Sequence, residues 1–265
     1  MKELIVENSP MVFYQSGNEH GEPVLFLHAA FADHTMFRAQ VKYFEKDYQV
    51  LTADLLGHGK SVKARKGDGI AKTADWIAEA MDAAGIEKIH LAGVSLGAVL
   101  AQDFANRYPG RVRSLACFGG YDINHFDPEL QKENGAAQMG MMLKAVFSIK
   151  WFAKANRKIS AVTPRAQREF YEMNLRFPKS SFRYLASLGS LVNRQQTEPR
   201  EYPLLIGCGE LDIPMEQKAV EQWKQREPDC ETVLFSGAGH LVNLDAPQAF
   251  QESLERFWTM ERKRG

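Results

Sequence analysis

Gly93-Val94-Ser95-Leu96-Gly97 constrains this chain more than any other five residues. An apolar strand-like run, Ile89–Ala92, leads into it. A helical pattern, Leu96–Tyr108, leaves it and stops at Pro109-Gly110. A strand that turns straight into a helix around one serine holds that serine in a strained backbone conformation. Glycines two positions to either side let strand and helix approach without a clash. The motif therefore predicts a strand, a sharp elbow and a helix as one unit, with the serine hydroxyl raised at the carboxyl end of the strand.

The rest of the sequence supplies the sheet that such an elbow needs. Val24–Leu27, Gln49–Ala53, Leu115–Phe118 and Leu204–Cys208 are continuous apolar runs, as strands buried on both faces should be. Met11–Gln15 and Thr232–Phe235 add shorter strand-like pieces. Helical patterns lie between them: Met36–Phe44, Ile70–Ala84 with its stop at Gly85, and Met215–Gln225. A closing helix carries Phe250, Leu254, Phe257 and Trp258 on one face. This alternation predicts an α/β fold with a mostly parallel central sheet flanked by helices. The alternation breaks near Tyr121. Residues 122–197 show no strand pattern, and Met139, Met142, Leu143 and Val146 fall at helical spacing. We therefore expect a core made of 1–121 and 198–265, with 122–197 inserted as an all-helical cap over the carboxyl ends of the strands, where open α/β sheets bind ligands. At 265 residues the chain suits one such domain.

Composition narrows the function classes. Lys plus Arg and Asp plus Glu both number 33, so no global field recruits nucleic acid or an anionic membrane. Residues 1–10 lack the apolar core of a secretion signal, and no apolar run is long enough to span a bilayer. Cys117, Cys208 and Cys230 show no metal spacing, and their odd number fits reduced thiols. Together these point to a cytoplasmic monomer or homodimer that meets a small-molecule substrate. Gly59-Lys60-Ser61 echoes the end of a phosphate-binding loop, but Asp54 stands where a glycine is needed and no helix pattern follows directly, so 54–61 reads as a structural loop. No His, Cys or carboxylate cluster has metal-ligand spacing, so no metal and no organic cofactor is expected.

A serine hydroxyl needs a base. His240 has the best context for one. It lies in Gly237-Ala238-Gly239-His240, after the last strand and before the closing helix, which places it at the same sheet edge as Ser95. A carboxylate should fix the imidazole tautomer. Asp212 follows the strand ending at Cys208 and completes the order Ser95, Asp212, His240. Asp122, after the preceding strand, is the rival, and its other reading is a turn residue leading into the cap. The oxyanion of an acyl-transfer intermediate needs two donors. The expected pair is the N–H of Leu96 and the N–H of Ala30 in the loop His28-Ala29-Ala30-Phe31, with His28 shaping that loop. Phe31, Met142, Trp151, Phe152 and Leu241 are candidates to line an apolar pocket, and the plainer reading of the cap residues among them is helix packing.

Taken together, these pieces resemble the α/β-hydrolase superfamily, and within it the esterases, carbon–carbon bond hydrolases and cofactor-free perhydrolases with a helical cap. The resemblance covers nearly the whole chain. It is carried by the 28–31 loop, by Asp54-Leu55-Leu56-Gly57-His58-Gly59-Lys60-Ser61, by the Ser95 elbow, by Gly209-Glu210-Leu211-Asp212, and by Gly239-His240 with Asp245-Ala246-Pro247. One departure stands out. Such families usually carry His-Gly where this chain has His28-Ala29, and alanine has less backbone freedom than glycine. The resemblance implies a serine hydrolase acting through an acyl-enzyme on a small, largely apolar carboxylic ester or related acyl compound (a lactone, thioester or vinylogous diketone). Dehalogenase and epoxide hydrolase relatives carry Asp at the position of Ser95. A second class stays open, a small-molecule sensor or signalling protein on the same fold with a slow triad, and an ester turnover assay separates the two.

Overall fold

The computed structural model describes residues 1–127, 140, 144–145, 147–192 and 200–264, with side chains to residue 260. Its centre is a sheet of eight strands in the order β1-β2-β4-β3-β5-β6-β7-β8. These are β1 (Lys2–Leu4), β2 (Val12–Gly17), β3 (Glu22–Leu27), β4 (Tyr48–Asp54), β5 (Ile89–Val94), β6 (Val112–Phe118), β7 (Leu204–Gly209) and β8 (Glu231–Phe235). From β4 to β8 across the sheet every pairing is parallel; β2 alone runs against its neighbours β1 and β4. The fold is the mostly parallel α/β sheet expected. The sequence pattern passes over β1, a mostly exposed three-residue edge strand with no apolar run to reveal it.

Period-two alternation divides the strand residues between two cores. Leu25, Leu27, Leu51, Leu91, Leu115 and Ile206 face α2 (Thr73–Ala83) and α3 (Leu96–Arg107). Val24, Phe26, Val50, Ala92, Phe118 and Leu205 face α1 (Arg38–Phe44) and the closing helix Pro247–Arg264. Both faces being covered, the inner strands read as continuous apolar runs rather than as alternation. Cys117, Cys208 and Cys230 are buried and unbridged.

The described residues of 122–197 form helices and turns and no strand. Ser148 caps α4 (Ile149–Ser160), its hydroxyl accepting from the Trp151 N–H. Thr163 caps α5 (Pro164–Arg176), with Pro164 in the first helical position. A short α6 (Phe182–Leu185) follows, and α4 packs along α5. The spacing at Met139, Met142, Leu143 and Val146 lies outside the described residues. The remaining helices are α7 (Pro214–Arg226), α8 (Val242–Asp245) and α9, the closing helix already placed. No described helix is long and apolar enough to cross a membrane.

Candidate active site

Ser95 sits between β5 and α3 with φ 54° and ψ −114°. Among the described residues only one other non-glycine residue, Phe31, has a positive φ. The strain at Ser95 is held by its surroundings. Its N–H donates to Phe118 O at 2.8 Å, and its carbonyl accepts from the Ala98 N–H at 2.9 Å. A Cβ on Gly93 would stand 2.3 Å from Gly97 O, and one on Gly97 would stand 1.9 Å from Leu27 O. The elbow thus requires both glycines, and it presses the start of α3 against the end of β3.

Asp212 and His240 leave the carboxyl ends of β7 and β8. The His240 Nδ1–H donates to Asp212 Oδ1 at 3.1 Å, with Oδ2 at 3.3 Å. The Asp212 side chain is fully enclosed and also accepts the Ile213 N–H at 2.7 Å. Burial by itself would lower the His240 pKa. The charge and hydrogen bond of Asp212, aided by Glu216, overcome this and raise it to about 9. The rival, Asp122, is committed elsewhere. Its carboxylate accepts from the Asn124 N–H and bonds His125 Nδ1, both at 2.9 Å, closing the turn at 122–125.

Two glycines passed over in the sequence stand between the imidazole and the elbow. Gly119 adopts φ +56°, and a Cβ there would lie 3.1 Å from His240 Cε1 and Nδ1. A Cβ on Gly120 would lie 2.9 Å from Ala98 Cβ and 3.8 Å from Ser95 O. A Gly-Gly pair directly after a buried strand was the available signal. Among the described residues no hydrogen bond joins Ser95 to His240; such bonds commonly tighten only when substrate is bound.

The loop after β3 is shaped by two buried neutral histidines. The His28 Nδ1–H donates to Ala29 O at 2.8 Å while its Nε2 accepts from the Leu55 N–H at 3.0 Å. The His58 Nδ1–H donates to Leu56 O at 3.1 Å while its Nε2 accepts from the Phe31 N–H, also at 3.1 Å. These partners assign the tautomers. Burial lowers the His28 pKa, and burial with the neighbouring His28 lowers that of His58 to about 3. The loop carrying His58 is itself anchored by Asp54, which accepts from Tyr14 Oη–H, the His34 N–H and the Lys60 N–H. The positive φ of this region, 65°, falls on Phe31 rather than on Ala29, so alanine in place of glycine at 29 meets no conflict. The Phe31 N–H is taken by His58, and among the described residues the N–H of Ala30 and that of Leu96 at the start of α3 have no backbone partner.

The Phe31 ring is caged by Phe152, Phe177 and Phe182, at centroid distances of 4.7, 5.0 and 5.6 Å. Phe152 is buried, as a pocket or packing residue must be. Trp151 is not: it is 53% exposed on the opposite side of α4, with Lys144 Nζ 5.7 Å above its ring. Trp151, expected among the pocket residues, is thus not buried beside Phe31 as Phe152 is. Adjacent helical residues point about 100° apart, and here Phe152 turns inward while Trp151 turns to solvent. Leu241 is fully buried in the core, and its N–H donates to Ser160 O at 2.9 Å. Met142 lies outside the described residues.

Two further side chains bear on His240. Asp245 accepts from the N–H groups of Gly239 (3.0 Å), Val162 (2.9 Å) and Thr163 (2.8 Å), tying the histidine loop to the α4–α5 turn. Glu216, the third residue of α7, is buried, and among the described residues its Oε2 has no hydrogen-bond partner. Burial, reinforced by the Asp212 charge and partly offset by His240, pushes its pKa up to about 7. In the sequence it is one glutamate in a polar helix, and only its spacing from Asp212, i to i+4, hinted at it. Among the described residues no cluster of His, Cys, Asp and Glu is arranged to hold a metal ion.

Known proteins share this fold. The family described as alpha/beta hydrolase fold matches residues 22–247. The (E)-2-((N-methylformamido)methylene)succinate hydrolase of Acinetobacter baylyi is 23% identical over 258 residues, covering 96% of each chain. An uncharacterized carboxylesterase, nap, of Bacillus subtilis is 22% identical over 93% of this chain and 82% of its own. Among solved structures, a thermophilic esterase from Thermogutta terrifontis superposes with a TM-score of 0.80 at 20% identity, covering 98% of both chains.

Proposed function

Because the chain belongs to the alpha/beta hydrolase fold family, we infer that it is a serine hydrolase of small, largely apolar carboxylic esters or related acyl compounds, such as lactones, thioesters or vinylogous diketones. The observation that carries this reading is the strained Ser95 at the β5–α3 elbow, at the same sheet edge as the hydrogen-bonded His240–Asp212 pair. Ser95 Oγ attacks the substrate carbonyl as His240 Nε2 takes its proton. Asp212 holds the Nδ1–H tautomer and stabilises the imidazolium. The unpartnered N–H groups of Ala30 and Leu96 receive the oxyanion. His240 then protonates the leaving group, and a water that it deprotonates cleaves the acyl-enzyme. The aromatic cage around Phe31, next to Ala30 in sequence, favours apolar acyl or alcohol groups over charged or sugar esters. No step calls for a metal or organic cofactor.

The test is turnover of an activated ester by purified protein and by Ser95→Ala. Loss of the nucleophile is expected to lower the rate on the order of 10⁴-fold or more with the fold intact by circular dichroism. A variant with near-parental turnover would overturn the assignment. A parent that binds esters without turnover would favour a sensor.

A further inference from the structure

The zero net charge of the chain hides a local imbalance. Between Glu133 and Glu169 the sequence contains no acidic residue. The centre of this stretch is α4, whose inner side carries the buried Phe152, Ala153 and Ser160. Its outer side follows helical spacing just as closely: Lys150, Trp151, Lys154 and Lys158 are all exposed along one stripe, and Phe147, one residue before the extended N-cap Ser148, is exposed too. Phe147 is 75% exposed and Trp151 53%. Among the described residues no carboxylate pairs with Lys150, Lys154 or Lys158.

We propose that this outer face of α4 is a peripheral docking surface for an anionic lipid–water interface. Phe147 and Trp151 enter the interface, and Lys150, Lys154 and Lys158 lie against headgroup phosphates. Three features favour a bilayer over an acidic protein. Phe147, just before α4, and Trp151, on it, both stand largely exposed to solvent. Indole rings settle at the headgroup level of membranes. The cations are lysines, which suit a diffuse layer of charge better than the bidentate contacts that arginine makes. Lysine stems can also lie along the apolar surface while their ammonium groups stay in water. Through the same helix the docked face reaches the site: Phe152, on the inner side, packs against Phe31 at 4.7 Å. The consequence for substrate rests on the hydrolase reading. It is that the ester is amphiphilic and is taken from the lipid phase.

Binding is tested with the full chain and vesicles, either of phosphatidylcholine alone or of equal parts phosphatidylcholine and phosphatidylglycerol. Trp76, Trp223 and Trp258 are buried, so Trp151 is the indole whose fluorescence reports docking. A blue shift and co-sedimentation are expected with the anionic vesicles, lost at high salt. The triple variant Lys150→Glu, Lys154→Glu, Lys158→Glu is expected to bind on the order of 100-fold more weakly. It is expected to keep parental turnover of a short soluble ester. Phe147→Ala with Trp151→Ala, followed by sedimentation, separates insertion from charge alone and is expected to bind weakly too. Equal binding to both vesicle types, binding unmoved by charge reversal, or a shift with polyglutamate but not with vesicles would each overturn the proposal. Ser95→Ala is expected to dock as the parent does. Docking without turnover in the parent would therefore sink the hydrolase reading and leave the surface standing.

Discussion

Asp212 and Glu216 lie four residues apart beside the same imidazole, and their surroundings differ. Asp212 receives an N–H from Ile213 and another from His240, which sustain a buried carboxylate. Glu216 Oε2 receives nothing, so burial favours its neutral form. Asp212→Asn is expected to lower kcat/KM on the order of 10³-fold or more through the wrong histidine tautomer. Asp122→Asn, whose partners are Asn124 and His125, is expected to change it less than about threefold. Equal losses from the two would remove the distinction. For Glu216 the sign follows from its raised folded-state pKa. Its contribution favours the fold below the ordinary carboxylate pKa and is lost as pH rises through about 7. Glu216→Gln removes that loss. It is expected to be more stable than the parent at pH 8 by roughly 1–3 kcal/mol, and not at pH 4, in thermal unfolding. The same change removes a negative neighbour of His240, so the acid limb of the kcat/KM profile is expected to move to lower pH.

At the scale of elements, single carboxylates lock segments that are distant in sequence. Asp245 collects N–H groups from the His240 loop and from the α4–α5 turn. Asp245→Ala leaves those donors without an acceptor; the bond from Val162 is exposed, while those from Gly239 and Thr163 are partly buried and cost about 1 kcal/mol or more each. A fall in stability of roughly 2–4 kcal/mol is expected, together with faster proteolysis at 160–164. An unchanged melting temperature would show that the N–H groups find water or another partner. Asp33 and Arg176 bridge the loop after β3 to the end of α5 in the same way, at 2.6 Å. None of these ties is local, so no window of sequence displays them.

For the whole molecule, the packing of α4 against the loop after β3 sets, on the proposed reading, which residues can choose a substrate. Phe152 bridges the two through Phe31 and Phe182, whereas Trp151, its neighbour in sequence, faces away. Phe152→Ala is expected to shift acyl-chain preference on soluble esters and to cost about 3–5 kcal/mol of stability, as loss of a buried phenylalanine does. Trp151→Ala is expected to leave both nearly unchanged. A chain-length series with melting curves for each variant checks the pair, and a shift confined to Trp151→Ala would place the pocket on the other side of α4.

What the sequence by itself determined was local and periodic. The alternation of apolar runs with amphipathic helices specified the α/β class, because burial on two faces and on one face leave different repeats. Gly93 and Gly97 announced the Ser95 elbow because the turn tolerates no Cβ at either place. The chain order of Ser95, Asp212 and His240 and their positions after β5, β7 and β8 were legible from the apolar strand-like runs that precede them. The tertiary structure decided whatever depends on groups that meet from far apart. It gave the His240 hydrogen bond to Asp212 and occupied Asp122 with its own turn. It placed the positive φ of the 28–32 loop on Phe31, where His58 from another segment takes the N–H. It left Glu216 buried without a partner and turned Phe152 inward and Trp151 out. Composition sums charge over the chain and periodicity reads one helix at a time. Which face is covered, and which charge is left facing water, follows only when the elements pack.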